Sequence, residues 1–252
     1  MPKSTHLVTI YDQQAFKELS RWQKRMKRQP SIFNKLSGKV QARINNVIPE
    51  GIHAAITKAI KQMTRALIFG AGITTRKPLT DINLEGREHK VKASIKTYRN
   101  TATAEGAITG AGGILLGLAD FPIWLTIKMK MLFDIAAKYG IDTSDYKERV
   151  YILHIFQLTF SSQKHRNKVY SIMANWNEEQ KLLPDDLDAF EWRTFQQEYR
   201  DYIDLAKLLQ LIPGIGAVVG AYVNHRLTSK LGKYAMNAYR MRFATMGEFR
   251  LS

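Results

Sequence analysis

The chain of 252 residues contains no cysteine. That excludes disulfides, thiol catalysis and thiolate metal sites, and it suits a reducing cytoplasm. Acid is scarce: 22 Asp and Glu stand against 38 Lys and Arg, a formal net charge of +16. Long apolar runs are missing too. The longest candidate, Gly106 to Ile127, holds 22 residues but is broken after 14 by Asp120, with Pro122 two residues further on. A transmembrane helix needs about 20 continuous apolar residues, and an Asp at mid-membrane costs about 2.5–3.5 kcal/mol. A second stretch, Leu208 to Asn224, has 17 uncharged residues yet contains Gln210, Pro213 and three glycines. Two readings stay open for these stretches: a tightly packed helical hairpin buried in a soluble core, or a spanning or re-entrant insertion. The opening MPKSTHLVTIYDQQAF has no apolar run of signal-peptide length, so no secretory address is expected.

Catalytic signatures are equally sparse. The six histidines, His6, His53, His89, His154, His165 and His225, show no i, i+4 pairing and no HExxH. Neither GxSxG nor GxxxxGK[ST] occurs. The segment GAITGAGG has glycines at a spacing loosely like a dinucleotide turn, but its surroundings are helical in pattern and a ribose-binding acid is missing. Asp185, Asp186 and Asp188 could suggest a hard-metal site, although acids opening a helix beside its positive end explain them as well. No catalytic residue, metal site or cofactor is expected.

What the chain does have is glycine in a pattern. Gly106, Gly110, Gly113 and Gly117 step by four, three and four, so one helical face carries no side chains. Such a stripe costs about 1 kcal/mol per Gly against Ala, and close backbone packing must offset it. Gly216 and Gly220 repeat the device within Ile212–Asn224, beside Ala217 and Ala221. Small residues four apart let helices approach closely, a habit enriched in helices in or near lipid.

Charge is unevenly placed. Residues 1–103 carry 20 basic and 6 acidic residues, or +14; residues 104–141 balance; residues 142–211 come to −3 and residues 212–252 to +5. The asymmetry points to a polyanion partner for the first part, either nucleic acid or an acidic membrane leaflet.

Periodicity predicts helices almost throughout. From Asp12, a plausible N-cap, Phe16, Leu19, Trp22 and Met26 mark an apolar face, with Lys17, Arg21, Lys24, Arg25 and Arg28 opposite and Pro30 ending the segment. A second stripe runs from Phe33 to Val47, and a third, opened by Pro49, from Ile52 to Leu67. Thr74 to Thr80 reads as a loop, after which Val91, Ile95, Tyr98 and Ala102 lead into the glycine stripe. Asp120-Phe121-Pro122 reads as a helix restart with Asp120 as cap, running to a left-handed stop at Gly140. Asp145 and Glu148 resemble a capping box for an apolar helix around Val150–Phe160. Pro184-Asp185-Asp186 opens an acidic, aromatic helix, and Pro213-Gly214 interrupts before the last one. No sheet is predicted, and no linker divides the chain.

At this point the chain resembles the EcsC family of bacterial proteins. The likeness rests on the glycine run with Leu118-Ala119-Asp120-Phe121-Pro122, on Ile135-Ala136-Ala137-Lys138-Tyr139-Gly140, and on Ile212-Pro213-Gly214-Ile215-Gly216-Ala217 with Gly220 and Asn224. Trp22-Gln23-Lys24 and Pro30-Ser31 extend it, over about Phe16 to Arg242. Where similar proteins often carry Arg after the Asp-x-Pro, this chain has Lys128 and Lys130. The resemblance implies a cytoplasmic, membrane-associated protein encoded beside an ABC transporter, with distant kinship to lipid-linked spartin-type senescence domains.

The expected protein is therefore a single all-α domain over residues 12–242, between tails at 1–11 and 243–252. Basic amphipathic helices fill 12–103 and a glycine-rich apolar core fills 104–242. The expected function is non-enzymatic: peripheral association with anionic lipid on the inner face of the membrane, as an accessory to an ABC transporter. The alternative is a basic helical nucleic-acid-binding protein, which shows no helix-turn-helix and gives the glycine stripes no purpose. Lys17, Arg21, Trp22, Lys24, Arg25 and Arg28 are the expected docking residues. Gly106, Gly110, Gly113, Gly117, Gly216 and Gly220 are the expected packing glycines. Asp120 and Pro122 stand apart, Asp120 as the sole carboxylate between Glu105 and Asp134: a helix cap, or a partner for a buried base or a headgroup.

Overall fold

The computed structural model describes residues 8–28, 50–69, 76–111, 121–161, 163–189 and 217–245. Its helices are α1 (Ile10–Lys27), α2 (Glu50–Ile68), α3 (Leu84–Ala111), α4 (Phe121–Lys138), α5 (Tyr146–Phe160), α6 (Gln163–Ala174), the single turn α7 (Trp176–Glu179) and α8 (Ala217–Thr245). Among the described residues there is no strand, and the fold is all-α as its periodicity predicts.

Two long helices form the axis. Glu88 of α3 meets Arg240 of α8, and Ile95 meets Gly232, so the pair runs antiparallel. Contact is close: a Cβ on Gly232 would lie 2.7 Å from Ile95 Cγ1 and Cδ1. Helix α4 lies against both, Ser94 donating to Asp134 at 2.5 Å and Tyr139 stacking on Tyr239 at 5.2 Å. Helix α5 is enclosed, every residue from Arg149 to Phe160 being buried, which is why its apolar residues are not confined to one stripe. Helix α2 packs on α4 and α5. Arg149 of α5 caps it, donating from Nε and Nη2 to the Ile68 carbonyl at 3.2 and 2.8 Å. Helix α1 packs instead on α8, α6 and α3.

Several local expectations hold. Helix α2 covers the predicted Ile52–Leu67 stripe and α4 opens at Phe121-Pro122, while Pro49 lies outside the described residues. It ends in a left-handed Gly140 at φ 81°, whose missing Cβ would lie 2.9 Å from Arg87 Nη1 and 3.0 Å from the Leu79 oxygen. Others need correction. The cap of α1 is Thr9, not Asp12. Asp12 sits at the third helical position, accepting from the Thr9 backbone N–H while its own N–H donates to the Thr9 hydroxyl, a closed capping box. Helix α1 accordingly starts at Ile10. Asp145 does cap α5 through the Lys147 N–H, but Glu148 completes no box because its carboxylate is held bidentately by Arg242. After Pro184 comes a single 3-10 turn, Leu187–Ala189, with Asp186 accepting from Asp188 N at 3.0 Å. The expected Phe33–Val47 helix and the aromatic helix beyond Phe190 lie outside the described residues.

Candidate functional site

Helix α1 is laid down as an amphipathic strap. Ala15, Leu19, Trp22 and Met26, at spacings of four, three and four, are all buried. Lys17, Arg21, Lys24, Arg25 and Arg28 face outward and are exposed, as the docking reading requires of them. Trp22 does not belong with them. Only 2% of its surface is exposed, and its ring meets Tyr170 of α6 and Tyr234 of α8 edge-on, each at 5.8 Å. It fastens the strap to the bundle and is unavailable as an interfacial anchor.

That aromatic floor gathers cations from three helices. Lys27 stands 6.0 Å over the Tyr170 ring, and Lys230 stands 5.3 Å over Tyr234 while donating to the Thr159 carbonyl at 2.7 Å. Burial pushes the Tyr234 phenol up, and the guanidinium charges of Arg166 and Arg25 act in the opposite direction. Among the described residues acid is nearly absent here. Helices α6 and α8 contain no Asp or Glu at all. The two carboxylates of α1 are engaged, Asp12 in its capping box and Glu18 with Arg240 at 2.7 Å. The cationic face is therefore built by α1, α6 and α8 together. Arg166 and Lys168 come from the segment whose summed charge is −3, so a count along the chain hides them.

Beneath α1 lies a buried polar cluster that sequence reasoning missed. Arg240, 2% exposed, donates from Nε and Nη2 to both oxygens of the fully buried Glu88 at 2.6 Å each. Tyr139 and Tyr11 add hydroxyl donors to the same carboxylate at 2.9 and 2.5 Å. Three helices, α1, α3 and α8, and Tyr139 just past the end of α4 are joined there through one charge pair and its hydrogen bonds. A signal existed: Glu88 occupies the stripe that Leu84, Val91 and Ile95 mark on α3, a place where an unpaired carboxylate would be costly.

The remaining predicted residues divide. Gly106 and Gly110 lie on α3 and Gly220 on α8, so two of the glycine-bearing segments belong to helices that pack on one another. Gly113, Gly117, Gly216 and Asp120 lie outside the described residues. Pro122 is exposed in the first turn of α4. Two turns on, Lys128 is fully buried with Nζ 4.7 Å from the Trp124 ring centre, and Trp124 donates to Asn224 of α8. Among the described residues no three His, Asp or Glu side chains gather as a metal site would need, and no helix is long and apolar enough to cross a membrane.

Fold and surface together define a helical bundle with a cationic outer face and a buried charge pair. The chain belongs to the EcsC protein family, whose model matches residues 13–243. It is 41% identical over 240 residues to protein EcsC of Bacillus subtilis (strain 168), covering 94% of this chain and 99% of that one. It is 27% identical over 249 residues to the uncharacterized protein YdbA of the same organism, covering 91% of each. No solved structure matches.

Proposed function

We propose that this protein is a non-enzymatic peripheral membrane protein that docks on anionic lipid through the face formed by α1, α6 and α8. The observation that carries the reading is the exposed row Lys17, Arg21, Lys24, Arg25 and Arg28, continued by Lys27 over Tyr170 and Lys230 over Tyr234, on helices whose carboxylates are absent or engaged. Basic residues near an anionic leaflet contribute about 1 kcal/mol each, so the exposed cations of α1 alone are enough to recruit a protein of this size. The buried apolar side of α1 stays with the bundle, which makes the attachment electrostatic rather than an insertion of that helix. The family resemblance supplies the setting, an accessory role beside an ABC transporter on the cytoplasmic side.

The test is co-sedimentation with vesicles of graded phosphatidylglycerol content. Binding should rise with anionic lipid and fall with salt, because exposed charges are screened within about 8 Å at physiological ionic strength. Reversing Arg21, Lys24, Arg25 and Arg28 to Glu should abolish it. A quadruple variant that binds like the parent removes α1 as the docking surface. Tighter binding to duplex DNA than to vesicles would favour a nucleic-acid partner for the same face.

A further inference from the structure

A second surface feature lies away from the cationic face, where α2 packs on α4. The two helices leave a trough of about 230 Å³ between them. Its floor is apolar and buried: Leu67, Leu125 and Met129 are 1%, 2% and 4% exposed. It is open because α2 presents small residues, Ala59 and Ala66, seven apart on the same face. From residue 59 to residue 67 a helix rises about 12 Å, close to the roughly 15 Å hydrocarbon depth of one leaflet. At its α4 end, beside Pro122, Ile123 stands 54% exposed. The rim carries one cation, the exposed Lys130, beside the neutral Gln62 and Thr126. Asp134, one turn beyond Lys130 on α4, is held by Arg76 and Lys138 at 2.9 and 2.6 Å.

We propose that this trough takes one acyl chain of an anionic phospholipid, with the headgroup at the Lys130 rim; the choice of ligand rests on the membrane-docking reading above. A narrow apolar channel with few polar groups at its edge fixes a ligand by chain burial and orients it by charge. Neither a free headgroup nor an uncharged chain satisfies both halves of it.

The test titrates the full chain with dihexanoyl phosphatidylglycerol, kept below its micelle concentration, in a calorimeter. Glycerol phosphate and dihexanoyl phosphatidylcholine serve as the head-only and zwitterionic probes. The anionic lipid monomer should bind more tightly than either. Ala66→Phe, at a half-exposed position, should weaken it at least tenfold while the melting midpoint and vesicle co-sedimentation stay those of the parent. Thr126→Trp fills the trough from its other wall and serves if Ala66→Phe does not fold. Unchanged affinity in a folded, filled variant overturns the inference, as does equal binding of glycerol phosphate. A parent that sediments with vesicles but ignores the lipid monomer loses the trough and keeps the docking reading. Monomer binding without vesicle sedimentation keeps the trough and removes the docking reading. A dimer that Ala66→Phe dissociates in sedimentation velocity would make the trough a self-interface and overturn the lipid assignment.

Discussion

Replacing Glu88 by Gln tests whether the buried charge pair holds the strap to the axis. Glu88 is 0% and Arg240 2% exposed, and two hydrogen bonds of 2.6 Å join them. Gln keeps the shape and can still accept from Tyr139, but it strips the charge and leaves Arg240 with only the outer Glu18, whose side chain is 63% exposed. Losing one partner of a buried pair costs about 3–5 kcal/mol, because the other charge stays desolvated. For a chain of this size each kcal/mol moves the melting midpoint by roughly 2–4 °C, so a fall of about 10 °C is expected. Replacing both, as Glu88→Leu with Arg240→Met, should recover most of that loss, since a packed apolar pair removes the uncompensated charge. Thermal unfolding followed by circular dichroism on the two single variants and the double measures the coupling. A Glu88→Gln variant that melts within 1–2 °C of the parent would refute the reasoning, because a charge left buried and half-paired cannot be that cheap.

Further outcomes follow from other buried sites. Burial lowers His154 to about 4 from its ordinary 6.5. The fold therefore holds the neutral ring, and stability should fall as pH drops from 6.5 to 4, by up to about 3 kcal/mol. Urea unfolding at pH 7 and pH 4.5 would show a steeper loss in the parent than in His154→Gln; equal slopes would mean that the ring titrates normally. Gly232→Ala should destabilise. Its Cβ would meet Ile95 at 2.7–2.9 Å on three atoms, so the whole branched side chain must move, at about 1–3 kcal/mol against the roughly 1 kcal/mol that Ala gains in helix propensity. Gly51→Ala, with nothing within 4 Å of the new Cβ, should be neutral or stabilising. If Gly232→Ala melts higher than the parent, the close approach of α3 and α8 is not real.

The fold was largely legible because its signals are local. Period-3.6 stripes mark α1, α2 and the start of α3, Pro122 and Gly140 bracket α4, and a strongly apolar segment, Val150–Phe160, marks the enclosed α5. The errors share a cause. Asp12 and Glu148 carry the right residue types for caps, but a cap is decided by backbone geometry and by competitors. Thr9 takes the cap of α1, and Arg242, distant in sequence, takes Glu148. The site was half legible. The spacing of the α1 cations put them outside, and the same spacing put Trp22 inside with Leu19 and Met26. The Glu88–Arg240 pair, whose partners are 152 positions apart, leaves no mark in any local window. Nor does the cationic contribution of α6, which a charge sum over 142–211 cancels against acids elsewhere in that span.

Membrane fractionation tests the central claim most directly. Cells expressing the protein are broken at low salt, and the membrane pellet is washed first with 1 M salt, where the screening length falls to about 3 Å, and then with alkaline carbonate. Docking through the α1, α6 and α8 face requires the protein to pellet with membranes and to be released by the salt wash. Absence from the membrane pellet at low salt, or retention through both washes, would contradict it.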